Sequence, residues 1–248
     1  MVGKVMAPVV HFRVAVALAG RFPALAGVDL SLDQGEVVVV VGANGAGKTS
    51  LLRACAGLLP VTSGEATVLG VDLTTDHTSV RRSVGLLGHA APLYDELSAA
   101  ENVHFAVRAL GLPVSGADEA LERVGLTGRL RTTPAGRLSA GQRRRVALAA
   151  LLARRPALWL LDEPHAGLDA SSRALLGRLI GEAVSDGATV LLSSHEPQLS
   201  VPLADRVVSM GGGRVTGEEP GGRRVTLTAV PTPGPDNAAD SGGAFHVA

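Results

Sequence analysis

A cluster of glycines followed by a lysine and a hydroxyl residue is the part of the sequence best suited to chemistry. Its spacing matches the pattern G-x-x-x-x-G-K-[ST], in which backbone N–H groups curl around phosphate oxygens. A helix that starts at the end of this segment adds its positive N-terminal end. Lys48 can reach the β- and γ-phosphates of a nucleotide as a catalytic cation, and Thr49 can hold Mg²⁺. We therefore predict a phosphate-binding loop, called the phosphate loop below, made of Gly42, Ala43, Asn44, Gly45, Ala46, Gly47, Lys48, Thr49 and Ser50.

The choice of lysine at position 48 supports this prediction. Lysine occurs only at Lys4 and Lys48, and every other basic residue except histidine is an arginine. A compact ammonium group fits beneath a phosphate loop, where a planar guanidinium would not. The alternative is a glycine-rich turn that only connects a strand to a helix, and the use of lysine in so arginine-rich a chain argues against it.

Two carboxylates follow an apolar strand in the second half of the chain. The run from Leu158 to Leu161 shows no alternation, which is typical of a strand buried on both faces, and it ends at Asp162 and Glu163. Parallel sheets bind ligands at the carboxyl ends of their strands, and the phosphate loop also follows such an end. Asp162 would hold Mg²⁺, directly or through water, and Glu163 would act as the general base on the attacking water. A solvated Asp-Glu-Pro turn is the alternative interpretation.

A third segment lies between these two. Ser139, Ala140, Gly141 and Gln142, called the signature segment below, precede a helix that begins basic and becomes apolar. Ser139 and Gly141 at a helix N-terminus would make a second anion-binding site.

The elements around these segments predict an α/β protein. Residues 1–35 suggest short strands and turns, and strand–helix alternation resumes at Leu158. Between them, three helices follow one another without strands, the first opened by a capping box at Ser98 to Glu101. The predicted fold is a P-loop NTPase core, a mixed sheet with flanking helices, with an inserted helical subdomain. The core would span about 1–88 and 155–217 and the helical subdomain about 89–154, and 218–248 would form a disordered tail.

Composition limits the functions that the chain can have. It has zero formal net charge, 2% aromatic residues and one cysteine among 248 residues. These values disfavour nucleic-acid binding and exclude an internal disulfide, and the single cysteine fits a cytoplasmic protein. No apolar run reaches the roughly 20 residues that span a bilayer. We therefore expect a chain that is soluble in itself.

The order of the motifs resembles that of the ATP-binding subunits of ABC transporters. The resemblance covers about residues 10–216, and within it Leu168-Asp169 looks like the family's D-loop and Ser193-Ser194-His195 like its switch histidine. It implies a head-to-tail dimer in which each ATP contacts one subunit's phosphate loop and the other's signature segment. It also implies that His195 contacts the γ-phosphate and that Asp169 connects the two sites. The subunit would drive a separate membrane-spanning subunit at the cytoplasmic face of the membrane.

Finer features resemble the haem exporters of cytochrome c maturation. They include Leu87-Gly88-His89, Trp159 to Pro164 and the segment Ser194-His195-Glu196-Pro197. Most ABC ATPases carry a glutamine where we align His89. The resemblance implies that His89 would contact Mg²⁺ or the attacking water in its place. Ala90 follows His89, so this loop contains no glutamine. The aromatic residue that stacks on adenine is also displaced: ungapped counting gives Ala19, with Phe22 nearby.

Three other functions fit parts of the pattern. Within the family, the subunit could serve an exporter of drugs or lipids. A non-transport ABC ATPase that acts on ribosomes or DNA is a second alternative, although such proteins usually carry paired domains or long coiled coils that this chain lacks. A small GTPase or kinase is a third, but no Asn-Lys-x-Asp segment that recognises guanine is present, and the signature segment has no role in either class.

Overall fold

The computed structural model describes residues 7–88 and 92–223, and these form ten strands and seven α-helices. The strands in chain order are β1 (Val10–Ala19), β2 (Phe22–Leu32), β3 (Val37–Val41), β4 (Val61–Val68), β5 (Val71–Asp72), β6 (Val84–Leu87), β7 (Leu158–Asp162), β8 (Thr189–Ser194), β9 (Arg206–Gly211) and β10 (Arg214–Pro220). The helices are α1 (Lys48–Cys55), α2 (Ala99–Arg108), α3 (Ser115–Arg123), α4 (Arg129–Thr132), α5 (Ala140–Arg154), α6 (Ala170–Ser185) and α7 (Pro197–Ser200).

The larger sheet has six strands in the order β10-β9-β3-β8-β7-β6, parallel except for the edge strand β10. Its inner strands β3, β7 and β8 are buried on both faces, which fits the apolar runs Val37–Val41, 158–161 and 190–192 within them. Because β3 and β7 run in the same direction, the residues that follow Val41 and Leu161 meet at one edge of the sheet. The α/β class and the mixed sheet with flanking helices are thus confirmed.

A separate antiparallel sheet of four strands, in the order β2-β1-β4-β5, covers one side of the core. Sequence patterns indicated only short strands and turns here, whereas β1 has 10 residues and β2 has 11. The alternation is hidden because the β1–β2 register shifts between Phe12 and Ala15, where Val14 adopts a positive φ of 48°. A bulge of this kind moves every later side chain to the opposite face.

The helical segment contains the three helices that the sequence predicts, as α2, α3 and α5. The predicted capping box at the start of α2 is present: Ser98 Oγ accepts a hydrogen bond from Glu101 N, and Glu101 Oε2 accepts one from Ser98 N. Apolar side chains of the three helices share one core with Trp159 and Leu161 of β7. This packing joins the signature segment, at the start of α5, to the strand that ends at the two carboxylates.

The expected tail begins later than predicted. Glu218 to Pro220 belong to β10 and pair with β9, so their assignment to a disordered tail is wrong. The sequence does not reveal this strand because it lies at a sheet edge with most of its side chains exposed and is therefore polar. The rest of the predicted tail, from 224 onward, lies outside the described residues. Within the described residues, no helix is both long and apolar enough to cross a membrane.

Candidate nucleotide-binding site

The phosphate loop leaves β3 and ends at α1, as predicted. Gly42, Gly45 and Gly47 have φ values of 149°, 80° and 106°, a region that residues with a side chain rarely adopt. At Gly42 a Cβ atom would also lie 2.3 Å from the carbonyl oxygen of Met210, so only glycine fits there. The backbone conformation of the loop therefore depends on its glycines.

The turn between β9 and β10 holds the loop from outside. Gly213 N donates a hydrogen bond of 2.9 Å to Ala46 O, and Ala26 N donates one of 2.8 Å to Gly213 O. Gly213 thus links the phosphate loop to β2 of the antiparallel sheet. Three consecutive glycines at 211–213 mark a turn in the sequence, but nothing in this local pattern shows that the turn contacts the loop.

Lys48 lies inside the loop, with 7% of its surface exposed. Its Nζ atom donates hydrogen bonds to Gly42 O at 2.7 Å and Ala43 O at 3.2 Å, and it lies 4.0 Å from Glu163 Oε1. A buried ammonium group needs such partners. The lysine therefore places a positive charge at the centre of the loop, beside a carboxylate of β7.

Thr49 and Asp162 meet as the sequence predicts. The Thr49 hydroxyl donates to the Asp162 carboxylate, 3.1 Å from Oδ1 and 3.0 Å from Oδ2. The Ser193 hydroxyl donates to Asp162 Oδ1 at 2.6 Å and accepts a hydrogen bond of 3.0 Å from Glu163 N. Ser193 was identified only as a neighbour of His195, yet it orients both acidic residues.

Glu163 occupies a backbone conformation that is rare outside glycine, with φ at 48°. Its Oε2 atom accepts hydrogen bonds from His195 N at 3.0 Å and from His195 Nδ1 at 2.6 Å. The imidazole itself is 51% exposed, whereas the Glu163 side chain is 18% exposed. The predicted base and the predicted switch histidine are therefore in direct contact, with the histidine on the solvent side.

A pocket of about 510 Å³ lies beside the phosphate loop. Its walls include the loop from Asn44 to Ser50, the two carboxylates, and Gly212 and Gly213. Pro23 and Ala24 form another part of the wall. Phe22, the sequence neighbour of Pro23, is 78% exposed.

The signature segment lies far along the chain from the phosphate loop and caps the N-terminus of α5. Ser139 Oγ accepts a hydrogen bond from Gln142 N, and Gln142 Oε1 accepts one from Ser139 N, which forms a second capping box. Ala140 and Gly141 line a groove of about 280 Å³ that also contains Gly167, Leu168 and Glu163. The chain's own signature segment thus faces the Leu168 turn.

Asp169 acts as the N-cap of α6 in this structure. Its Oδ1 atom accepts hydrogen bonds from Ser172 N at 2.7 Å and Ser171 Oγ at 2.9 Å. The hydrogen bond from the Ser172 backbone, together with those from the two hydroxyls, lowers the pKa of Asp169. The carboxylate therefore stays charged at the turn that the resemblance places at a subunit interface. His89, the remaining predicted site residue, lies outside the described residues.

A phosphate loop after β3, with an acidic pair at the end of β7, defines a P-loop nucleoside triphosphatase. The ABC transporter family profile matches residues 25–166. The chain belongs to the ABC transporter family as an ATP-binding and ATP-hydrolysing subunit, and members of this family bind nucleotide and couple its hydrolysis to transport.

Individual relatives agree with this assignment. The chain is 43% identical over 187 residues to a cytochrome c biogenesis ATP-binding export protein, CcmA, of Rhodopseudomonas palustris, covering 75% of this chain and 90% of that protein. It is 39% identical over 203 residues to an sn-glycerol-3-phosphate import ATP-binding protein of Agrobacterium fabrum, of which it covers 53%. Among solved structures, a dimeric ATP-binding cassette bound to ADP and phosphate is 28% identical with a TM-score of 0.74, and the match covers 87% of this chain and 99% of that one.

Proposed function

We propose that the chain binds Mg-ATP at the phosphate loop and hydrolyses it with Glu163 as the general base. The observation that carries this proposal is the position of the Glu163 carboxylate, which lies between Lys48 and His195 at the end of β7. A base must lie within reach of the water that attacks the γ-phosphate. The phosphate loop holds the phosphates beside this carboxylate, so the attacking water would lie between them.

The donor atoms around Thr49 fit Mg²⁺. The ion prefers oxygen ligands and usually combines one or two protein groups with phosphate oxygens and water. The Thr49 hydroxyl and the Asp162 carboxylate lie 3.0–3.1 Å apart at the edge of the pocket and offer such oxygens. Held by these two groups, Mg²⁺ would neutralise negative charge on the bound phosphates.

His195 would orient both the base and the phosphate. Its backbone N–H and its Nδ1 atom bind one oxygen of Glu163, so that the other oxygen, Oε1, faces Lys48. A neutral imidazole that donates from Nδ1 presents Nε2 as an acceptor, whereas the charged ring donates from both nitrogens. Its exposure allows it to contact the γ-phosphate from the solvent side, as the family resemblance implies.

The functional unit that we propose is a head-to-tail dimer of this chain. Ala140 and Gly141 lie in the groove next to the Leu168 turn, while the nucleotide pocket is lined by the phosphate loop. A second copy would bring its own signature segment over that pocket and add the N-terminal end of its α5 to the phosphates. The structurally similar cassette bound to ADP and phosphate is a dimer, which supports this arrangement.

For the cargo, we propose a role in cytochrome c biogenesis, with haem as the first candidate. The support is the similarity to CcmA proteins, several of which are 36–43% identical over most of the chain, together with the motif wording around His89 and His195. The chain would act at the cytoplasmic face of the membrane and drive a separate membrane-spanning subunit. Purification of the complex from detergent-solubilised native membranes, followed by mass spectrometry, tests this. Recovery of a membrane subunit from an unrelated exporter would contradict it.

The experiment that tests the base is Glu163→Gln, with nucleotide affinity and hydrolysis measured separately. We expect ATP binding to persist and hydrolysis to slow by roughly 10²–10⁴-fold, the usual contribution of a general base. The variant should accumulate as an ATP-bound dimer in size-exclusion chromatography. Hydrolysis near the wild-type rate would remove Glu163 from this role.

A further inference from the structure

Arg144 connects three parts of the site that are far apart in the sequence. It lies in α5, just after the signature segment, and its guanidinium group donates to the carbonyl oxygens of Gly88, Asp162 and Glu163. The two contacts to the end of β7 measure 3.3 and 3.4 Å, both from Nη2. One side chain thus joins the helix of the signature segment, the exit of β6 and the acidic pair.

The type of residue suits this task. A guanidinium group has five N–H donors in a rigid plane and no acceptor, so it can serve several carbonyl groups at once. Burial lowers the pKa of Arg144 from its ordinary value, and the nearby charge of Asp162 opposes that effect. Because its donors bind backbone carbonyl groups, this buried arginine restrains the backbone that carries them more than it neutralises the charge of the two carboxylates.

The backbone that it fixes is under strain. A non-glycine residue with a positive φ is strained and persists only where its surroundings hold it. At Glu163 the N–H donates to Ser193 Oγ, and the carbonyl accepts from Ala166 N at 3.2 Å and from Arg144. Arg144 is the one among these partners that comes from the helix of the signature segment.

We propose that Arg144 is a positioning residue that couples the orientation of α5 to the placement of the Glu163 carboxylate. This inference rests on the proposed role of Glu163 as the base. Movement of α5, which carries the signature segment at its start, shifts the guanidinium and with it the backbone of Glu163. The base is therefore aligned only when α5 packs against the end of β7 as it does in this structure. Each subunit's signature helix thus affects hydrolysis at its own acidic pair.

Arg154 offers a matched control on the same helix. It is also partly buried and binds backbone carbonyl oxygens, those of Val84 at 2.9 Å and Arg81 at 3.4 Å, and burial lowers its pKa in the same way. We expect Arg144→Gln and Arg154→Gln to lower the melting temperature by similar amounts. Only Arg144→Gln should lower kcat, by roughly 10–100-fold, with ATP affinity within about twofold of wild type, because it misplaces a catalytic group.

A double variant separates positioning from a direct effect. If Arg144 acts through Glu163, adding Arg144→Gln to Glu163→Gln should lower single-turnover hydrolysis by less than about twofold further. Arg144→Lys, which keeps the charge but not the planar group, should fold with wild-type stability and show an intermediate kcat. Full activity of Arg144→Lys, or a second full loss in the double variant, would overturn the inference.

The outcomes also distinguish this inference from the proposed function. A normal loss in Glu163→Gln, together with equal kcat values in the Arg144→Gln and Arg154→Gln variants, would overturn the role of Arg144 alone. Wild-type hydrolysis by Glu163→Gln would overturn the base assignment and the coupling together.

Discussion

Lys48 is held in the phosphate loop by contacts that an arginine cannot reproduce. Its ammonium group lies against Gly42 O and Ala43 O in a nearly closed space. We predict that Lys48→Ala weakens ATP binding by at least tenfold, since hydrogen bonds to a charged group contribute about 1.5–3 kcal/mol each. Lys48→Arg should fail nearly as badly because the loop accommodates a compact charge. Titration calorimetry measures both, and unchanged affinity in Lys48→Ala would contradict the phosphate-loop assignment.

Ser193 should matter for hydrolysis although it would not contact the nucleotide. We predict that Ser193→Ala lowers kcat, because Asp162 Oδ1 loses a donor and Glu163 N loses its acceptor in a buried place. Ser193→Thr keeps the hydroxyl and should recover part of the loss. The neighbouring buried Ser194, whose hydroxyl accepts from Glu196 N, provides the control Ser194→Ala. Equal kcat values in the two alanine variants would show that Ser193 has no special role.

These two residues also show what the sequence could reveal about the site. Lys48 stands in a contiguous pattern, so its proposed role can be predicted from the sequence, and the same holds for Thr49, Asp162 and Glu163. Ser193 contacts Asp162 from 31 residues away, and the Gly213 turn, at the end of the neighbouring strand β9, contacts the loop although it lies far along the sequence. Such contacts depend on which strands are neighbours, and strand order is not encoded in any local pattern.

Two helices of the same subdomain begin with the same capping box, which allows a controlled comparison. Ser98 caps α2 and Ser139 caps α5, each with its partner three residues later. We predict that Ser98→Ala and Ser139→Ala each lower the free energy of unfolding by about 1 kcal/mol, the usual value of such a cap. Only Ser139→Ala should also reduce ATP-driven dimerisation. Chemical denaturation and analytical ultracentrifugation measure the two effects, and equal dimerisation would contradict the proposed interface.

The loop after β7 contains a buried histidine that should make stability depend on pH. His165 is 6% exposed and contacts Ser200 Oγ at 3.2 Å, and burial lowers its pKa below 6.5 despite the opposing charge of Glu196. The unfolded chain therefore takes up a proton before the folded one does. This contribution to stability is complete above about pH 6.5 and is lost as the pH falls through the lower, folded pKa.

We accordingly predict that the free energy of unfolding decreases between about pH 7 and pH 5 and that His165→Gln reduces this decrease. Urea denaturation at several pH values measures it. His77→Gln, which removes a histidine from a turn outside the site, is the control. Parallel pH profiles of His165→Gln and wild type would show that other groups determine the dependence.

At the scale of elements, prediction succeeded where the chain is buried on both faces or strongly amphipathic. The strand β7 begins at the start of the predicted apolar run, and α2 and α5 begin where the predicted capping box and the signature segment place them. It failed at the antiparallel sheet, where the bulge at Val14 breaks the alternation, and at β10, an edge strand with a polar sequence. Both failures arise because side-chain periodicity reports burial and only indirectly reports backbone pairing.

For the molecule as a whole, the β9–β10 hairpin joins the two sheets. Gly213 bonds Ala26 of β2, and Arg206 of β9 bonds Ser31 O of β2 as well as Glu36 and Glu218. Beyond the strand, Gly221 N donates to Asp205 O, and Arg223 pairs with Asp205 at 3.0 Å. The segment from Glu218 to Arg223 is therefore part of the folded unit.

We predict that truncation after Gly217 lowers the melting temperature by roughly 5–10 °C. Several strand-pairing contacts are lost, and each kcal/mol of lost stability lowers the melting temperature by about 2–4 °C. Truncation after Arg223 should leave the melting temperature unchanged, since the composition of the remainder favours little burial of apolar surface. Scanning calorimetry compares the two. Equal melting temperatures would mean that residues 218–223 contribute nothing measurable.

The five consecutive valines of β3 have one more consequence. Val37 and Val39 pack in the core shared with the helical subdomain, while Val38 and Val40 pack in the core beneath the antiparallel sheet. Because the residues are identical, sliding the strand by one position would exchange the two faces without changing what either core contains. The side chains in the middle of β3 therefore cannot determine its alignment. That information lies at the ends, where Val37 N donates to Asp205 Oδ2 and where Gly42 alone tolerates the approach of Met210 O.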